Sequence, residues 1–243
     1  MQYELAKVVY LLDKREDANL QALYSIEVLL YRLLEHHGNI NDTKFIKEIM
    51  SNPESLMEII DKTYLSSDEN ERAVEIEQVK NDNSYALLGW HIFYTLRQTP
   101  FVDSNNTIDE VALNNYIDQL QTLGNAKHKI KGVNTVIGEL LGNYPETEDY
   151  PSIPICDIIE RLNNKEVNNG FRTRLYNKRG VTVRPAYEGG TLEKNEADKY
   201  KKYADKIRYT HPIACSIFDD LSRDYYQIAK NKDIRVKIEK MEF

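Results

Sequence analysis

Apolar residues recur along this chain with a period near 3.6 from Leu5 to Ile228, the spacing of one face of an α-helix. Leu5, Val8, Val9 and Leu12 predict a short first helix. Leu20, Leu23, Tyr24, Ile26, Leu30, Tyr31 and Leu34 predict a long second one, closed by Gly38. A third carries Phe45, Ile46 and Ile49. Asn52-Pro53 then supplies a polar cap and a proline at the first helical position, ahead of Leu56, Ile59, Ile60 and Tyr64. Residues 66–83 are polar, with Asp68, Glu69, Glu71, Glu75 and Glu77 among the acids against Arg72 and Lys80, and read as an exposed, partly disordered connection.

Beyond that connection, Leu87, Leu88, Ile92, Phe93 and Leu96 mark a helix stopped before Pro100. Thr107 and Glu110 have capping-box spacing before a helix bearing Ile108, Val111, Tyr116, Ile117, Leu120 and Leu123, ended by Gly124. Val133 to Leu141 continue the period. Pro145, Pro151 and Pro154 cluster in a loop, and a short helix with Ile155, Ile158, Ile159 and Leu162 follows. Two long helices close the chain. One starts near Thr191, with Tyr200, Tyr203 and Ile207 inward. The other starts at His211-Pro212, with Ile213, Ile217, Leu221, Tyr225 and Ile228. Short connections imply antiparallel neighbours. The expected fold is all-α: an irregular stack of about ten helices in hairpins, with at most one short β-hairpin. The expected division is an N-terminal helical subdomain, 1–83, and a C-terminal one, 84–243.

One segment breaks the pattern, Asn168 to Gly190. It contains Arg172, Arg174, Lys178, Arg179 and Arg184, no acid before Glu188, and four of the ten glycines. Asn163 and Glu166 could cap a helix through Val167, Phe171 and Leu175, with Gly180 past its end. Alternatively, Phe171–Tyr176 and Val181–Arg184 could pair as a hairpin about an Asn-Lys-Arg-Gly turn. In either form several guanidiniums crowd one surface, and Gly189-Gly190 precedes a new helix N-terminus, as an anion cradle requires. The alternative is that these groups bond helix-end carbonyls and the acids of the same chain. A docking or anion site would leave Arg179 and Arg184 exposed, with Glu193 orienting rather than neutralising them.

Charge sharpens this contrast. The chain carries 32 basic and 39 acidic side chains, a net charge of −7. Residues 1–164 hold 14 basic and 27 acidic groups, whereas 165–208 hold 12 and 6. An acidic chain is a poor non-specific nucleic-acid binder, so nucleic acid is disfavoured as a partner and a protein partner is expected. No apolar run reaches the roughly 18 residues of a membrane span, and no basic-then-apolar leader opens the sequence. A cytoplasmic chain is expected.

Catalytic and cofactor signatures are missing. There is no HExxH, CxxC, GxSxG or glycine-rich phosphate loop, so no metal, cofactor or catalytic residue is assigned. His36 and His37 are adjacent, which on a helix separates them by about 100° and does not pinch one metal. Arg32 and His37 have the R-x4-H spacing that resembles the motif of HEPN ribonucleases, but Leu33 is apolar where that family usually has a polar residue. Cys156 and Cys215 read as buried thiols. Asp219, Asp220 and Asp224 enclose Arg223 and read as a solvated face.

The stretch from Gly170 to Asp233 resembles the C-terminal segment of a family of large uncharacterised bacterial proteins. That pattern falls here at Gly170, Phe171, Asn177, Arg179, Gly180, Arg184, Gly189, Gly190, Glu193, Tyr203, Ala204, Pro212 and Asp233. Upstream, YELAKVVYLLDKR, SNPESLMEIIDKTYL and LLGWHIFYTLRQTPF resemble the family's preceding helices. Thr191 and Leu192 depart from it, replacing a more polar pair. The resemblance implies a non-catalytic helical interaction or sensor region of a larger bacterial assembly, loosely linked to conflict and antiphage systems. It attaches no reaction to this segment. The candidate binding residues are Arg172, Arg174, Asn177, Arg179, Gly180, Arg184, Gly189, Gly190 and Glu193.

Overall fold

The computed structural model describes residues 2–38, 40–180 and 188–239. Of the described residues 76% are helical, and none forms a strand beyond an isolated bridge between Val102 and Ile108. The expected all-α stack is what the chain forms, with thirteen α-helices among the described residues. Two compact units divide it, Met1–Val133 and Asn134–Phe243. Their division falls within α9, whereas the division by composition, 83/84, lies between α6 and α7.

The first unit contains α1 (Gln2–Asp13), α2 (Leu20–Leu29), α3 (Tyr31–His37), α4 (Lys44–Ser51), α5 (Pro53–Thr63), α6 (Glu69–Asn81), α7 (Ser84–Thr95) and α8 (Glu110–Ala126). α9 (Ile130–Gly142) begins in it. Its core is built from Leu34, Ile46, Leu56, Ile60 and Leu120, all fully buried. Two buried tyrosine hydroxyls are paired: Tyr31 Oη lies 2.8 Å from Thr95 Oγ1, and Tyr116 Oη donates to the Ile49 carbonyl at 2.5 Å.

Several expected boundaries shift for local reasons. The long second helix is two, because the backbone breaks at Leu30. Asn52 caps α5 as expected, its Oδ1 accepting from Glu54 N at 3.0 Å. α8 is capped by Asp109, which accepts from Ala112 N, and not by Thr107. The polar stretch expected to be a connection is α6, capped by Asp68, which accepts from Asn70 and Glu71 N–H groups. α6 buries no residue. It is tethered electrostatically instead: the Lys129 ammonium, 2% exposed, donates to Glu75 at 2.5 Å and to the Tyr64 carbonyl at 2.6 Å. A helix polar all round needs such ties, having no apolar face to bury.

The second unit contains α10 (Ile153–Leu162), α11 (Lys165–Lys178), α12 (Thr191–Ile207) and α13 (Pro212–Glu239), with the end of α9. α12 and α13 form an antiparallel hairpin around Tyr200, whose ring stacks on Tyr225 at 5.7 Å and on Phe218 at 6.3 Å. Ile207, Ile217 and Leu221 are buried in the same pair, with Tyr203 and Ile213 half-buried at its margin. α9 and α11 meet at near backbone contact. A Cβ on Gly138 would lie 2.1 Å from the Val167 carbonyl oxygen, and one on Gly170 2.2 Å from that of Thr135.

Candidate functional site

Of the two conformations open to the arginine segment, the helix is present through Lys178, so the hairpin arm 171–176 is not formed. Its N-cap is Asn164, with Oδ1 accepting from Glu166 and Val167 N–H groups; Asn163 instead ends α10 in the left-handed region. Gly180, at φ +64°, terminates the helix, and its N–H donates to the Asn177 carbonyl at 3.2 Å. Arg184 lies outside the described residues.

The guanidiniums are met by acceptors of this chain. Arg172 pairs with Asp224 on α13. Arg174 is buried and donates to the Asn143 side chain. Arg179 is 16% exposed and lies 2.8 Å from Glu193, a carboxylate fully buried at the start of α12. Lys232 meets the same Glu193 oxygen at 2.8 Å, and the Arg179 guanidinium sits 5.5 Å from the centre of the Tyr225 ring. The helix start after Gly189-Gly190 is likewise taken: Gly190 N–H donates to Asp233 at 2.8 Å, and Lys194 lies 2.7 Å from that carboxylate. Lys194 first, and the Gly190 N–H next, hold the Asp233 carboxyl below the usual carboxylate range.

An anion cradle needs exposed Arg179 and an orienting Glu193. The structure has the reverse: Glu193 is the buried acceptor, and Arg179 with Lys232 neutralises it. Gly190 serves packing, since a Cβ there would lie 2.3 Å from the Ala229 carbonyl oxygen on α13. Asn177 is exposed and Gly189 takes φ +72°, but no guanidinium described near them is left open for an anion. Nor do Arg32 and His37 converge. Five residues apart, they lie about 140° around α3, and His37 sits edge-on to Tyr3 at 6.0 Å.

The first unit carries a different feature. α7, SYALLGWHIFYT, is apolar on nearly every side. Gly89, Ile92 and Phe93 are buried, and Gly89 admits Thr63 so closely that a Cβ would lie 1.9 Å from its hydroxyl. Leu87, Trp90 and Tyr94 fall within about 60° of arc on the other side, and are 51%, 48% and 62% exposed. Tyr64 backs Trp90 at 5.0 Å between ring centres, and Arg97 lies 5.8 Å from the Tyr94 ring. Leu87, expected inward, is therefore part of an outward apolar stripe. A groove of about 530 Å³ lies on the flank of α7, lined by Tyr24, Phe45, Ile59, Tyr85 and Leu88 among others.

Searches against family models, curated proteins and solved structures return no match. Leu87, Trp90 and Tyr94 were legible in one respect: α7 has more apolar positions than a single helix face can bury. The period of 3.6 placed Leu87 and Leu88 on one inward face, although adjacent residues point about 100° apart.

Proposed function

We propose that this chain is a non-catalytic helical interaction module, which docks a protein partner through the outer face of α7 as a region or subunit of a larger bacterial assembly. The observation that carries the reading is the solvent-facing stripe Leu87, Trp90 and Tyr94. Soluble proteins scatter single apolar residues over their surfaces, but contiguous apolar patches mark interaction sites. Tryptophan and tyrosine are the residues on which interface energy concentrates. Tyr64 beneath Trp90 fixes its ring in advance, which reduces the ordering cost of docking. The family resemblance, with its conflict and antiphage association, supports placement in a larger assembly.

The test compares the wild-type chain with a Leu87→Asp/Tyr94→Asp double variant in affinity capture from extracts of the native cell. The expected outcome is a discrete partner retained by the wild type and lost by the variant, with both melting at the same temperature. Equal capture by both would remove α7 from the interface.

A further inference from the structure

The groove on the flank of α7 is walled by α2, α4, α5 and α7, all of the first unit. Its floor is apolar: Phe45 and Ile92 are buried beneath it, and Ile59 and Leu88 are half-buried along it. Its volume of about 530 Å³ falls in the range of small-ligand sites, roughly 300–1,000 Å³. Tyr24 and the exposed Tyr85 add aromatic surface to the lining.

One charged side chain is held in place within this apolar frame. Glu48, half-buried on α4, lines the groove. Its Oε1 accepts from Asn52 Nδ2 at 2.8 Å and from Ser55 Oγ at 2.9 Å, and its Oε2 accepts from the Tyr24 hydroxyl at 3.3 Å. Burial first, and the Glu48 charge next, push that hydroxyl above its ordinary range, so it stays a donor. All three donors are neutral. They orient the carboxylate without cancelling its charge, and among the described residues neither Glu48 nor the exposed Glu58 of the same groove forms an ion pair. A carboxylate has about four acceptor positions, so Oε2 retains one for a further donor. Lys62, also in the lining, places its ammonium 5.5 Å from the centre of the Tyr85 ring rather than on a carboxylate, a contact that a ligand cation can make with the same kind of ring.

A ligand that fits must therefore join an apolar body to a positive nitrogen. An anion would set its charge against Glu48 in a partly desolvated site. A neutral apolar molecule would cover the carboxylate without pairing it. We propose that the α2–α4–α5–α7 groove binds a small amphiphilic amine, an aromatic or alkyl body with one primary ammonium group, through an ion pair with Glu48. The proposal goes beyond the docking role of the outer face of α7 and does not rest on it, since Leu87, Trp90 and Tyr94 lie on the opposite side of that helix from Tyr85, Leu88 and Ile92.

Amide chemical-shift titration of the full chain tests this, with tryptamine and octylamine as probes and their anionic counterparts, indole-3-propionate and octanoate, as controls. The expected result is saturable binding of at least one amine, at least about tenfold tighter than its anionic counterpart. In Glu48→Gln, which keeps the size of the side chain and removes its charge, that preference is expected to fall to within about threefold. A Glu48 that serves only to join α4 to α5 would leave the preference intact in the folded variant. Melting curves establish that the variant is folded. Should it melt early, Ser25→Trp, at an exposed position of the α2 wall, replaces it and is expected to abolish amine binding. No saturable amine binding, equal or tighter binding of the anions, or amine binding and preference undiminished in a folded variant overturns the proposal.

Discussion

At the scale of single residues, buried charge decides the second unit. Glu193 has no exposed surface and is neutralised by Arg179 and Lys232. Removing one partner of a buried pair leaves an uncompensated charge, which typically costs about 3–5 kcal/mol. Arg179→Glu adds a second carboxylate, so its denaturation midpoint is expected to fall by an amount in that range; a midpoint within about 1 kcal/mol of wild type, as for an exposed charge, would contradict the pairing. Glu139 on α9 gives a pH signature. Burial pushes its carboxyl up to about 7, against the opposing pull of Arg174. The folded chain thus holds a proton that the unfolded chain releases near pH 4.5. The stability this group contributes is complete below that ordinary value and is lost as pH rises through about 7. Glu27, raised in the same direction by burial and by its hydrogen bond with Asp13, adds to the slope. Thermal melts from pH 4 to 8 should therefore decline less steeply for Glu139→Gln than for wild type. Identical slopes would mean that Glu139 ionises freely in the fold.

At the scale of elements, two kinds of packing hold the helices. The α12–α13 hairpin buries large side chains, and Ile217→Ala is expected to cost about 2–4 kcal/mol. The α9–α11 crossing works by omission. Gly170→Ala would set a methyl against the Thr135 carbonyl, a backbone atom that moves only with its helix. A loss of about 1–3 kcal/mol is expected, as for other overpacked contacts, and an unchanged denaturant midpoint would show that the helices can part freely. These two packings differ in how far the sequence reveals them. The hairpin was legible because Tyr200, Ile207, Ile217 and Leu221 recur at helical spacing. The crossing was not, since a glycine inside a helix gives no sign of the backbone it approaches, and Gly170 stood out only as part of the family resemblance. α6 escaped because period-based reading looks for an apolar stripe, and α6 has none. Its signal was the Asp68 cap and the acids that reach Ser66 and Lys129. The arginine segment was legible as a helix with a cap and a stop. The identity of each guanidinium's acceptor was not, because Asp224, Glu193 and Asn143 lie 52, 14 and 31 residues away.

At the scale of the whole molecule, the chain combines a second unit whose Arg172, Arg174 and Arg179 meet acceptors of the same chain with a first unit that leaves an aromatic stripe in solvent. No described helix is long and apolar enough to cross a membrane, so lipid does not account for that stripe as a spanning face. On the proposed docking role a protein partner covers it, and Trp90 should dominate the energetics: Trp90→Ala is expected to weaken binding at least about tenfold while changing stability little. The most direct measurement is photo-crosslinking in native extract, with a benzophenone side chain placed in turn at 87, 94 and 111. Val111, 72% exposed on α8, is the control. The prediction is one discrete adduct with a second protein from positions 87 and 94 and none from 111. No adduct from 87 and 94, or the same adducts from all three positions, would contradict the assignment of α7 as the docking face.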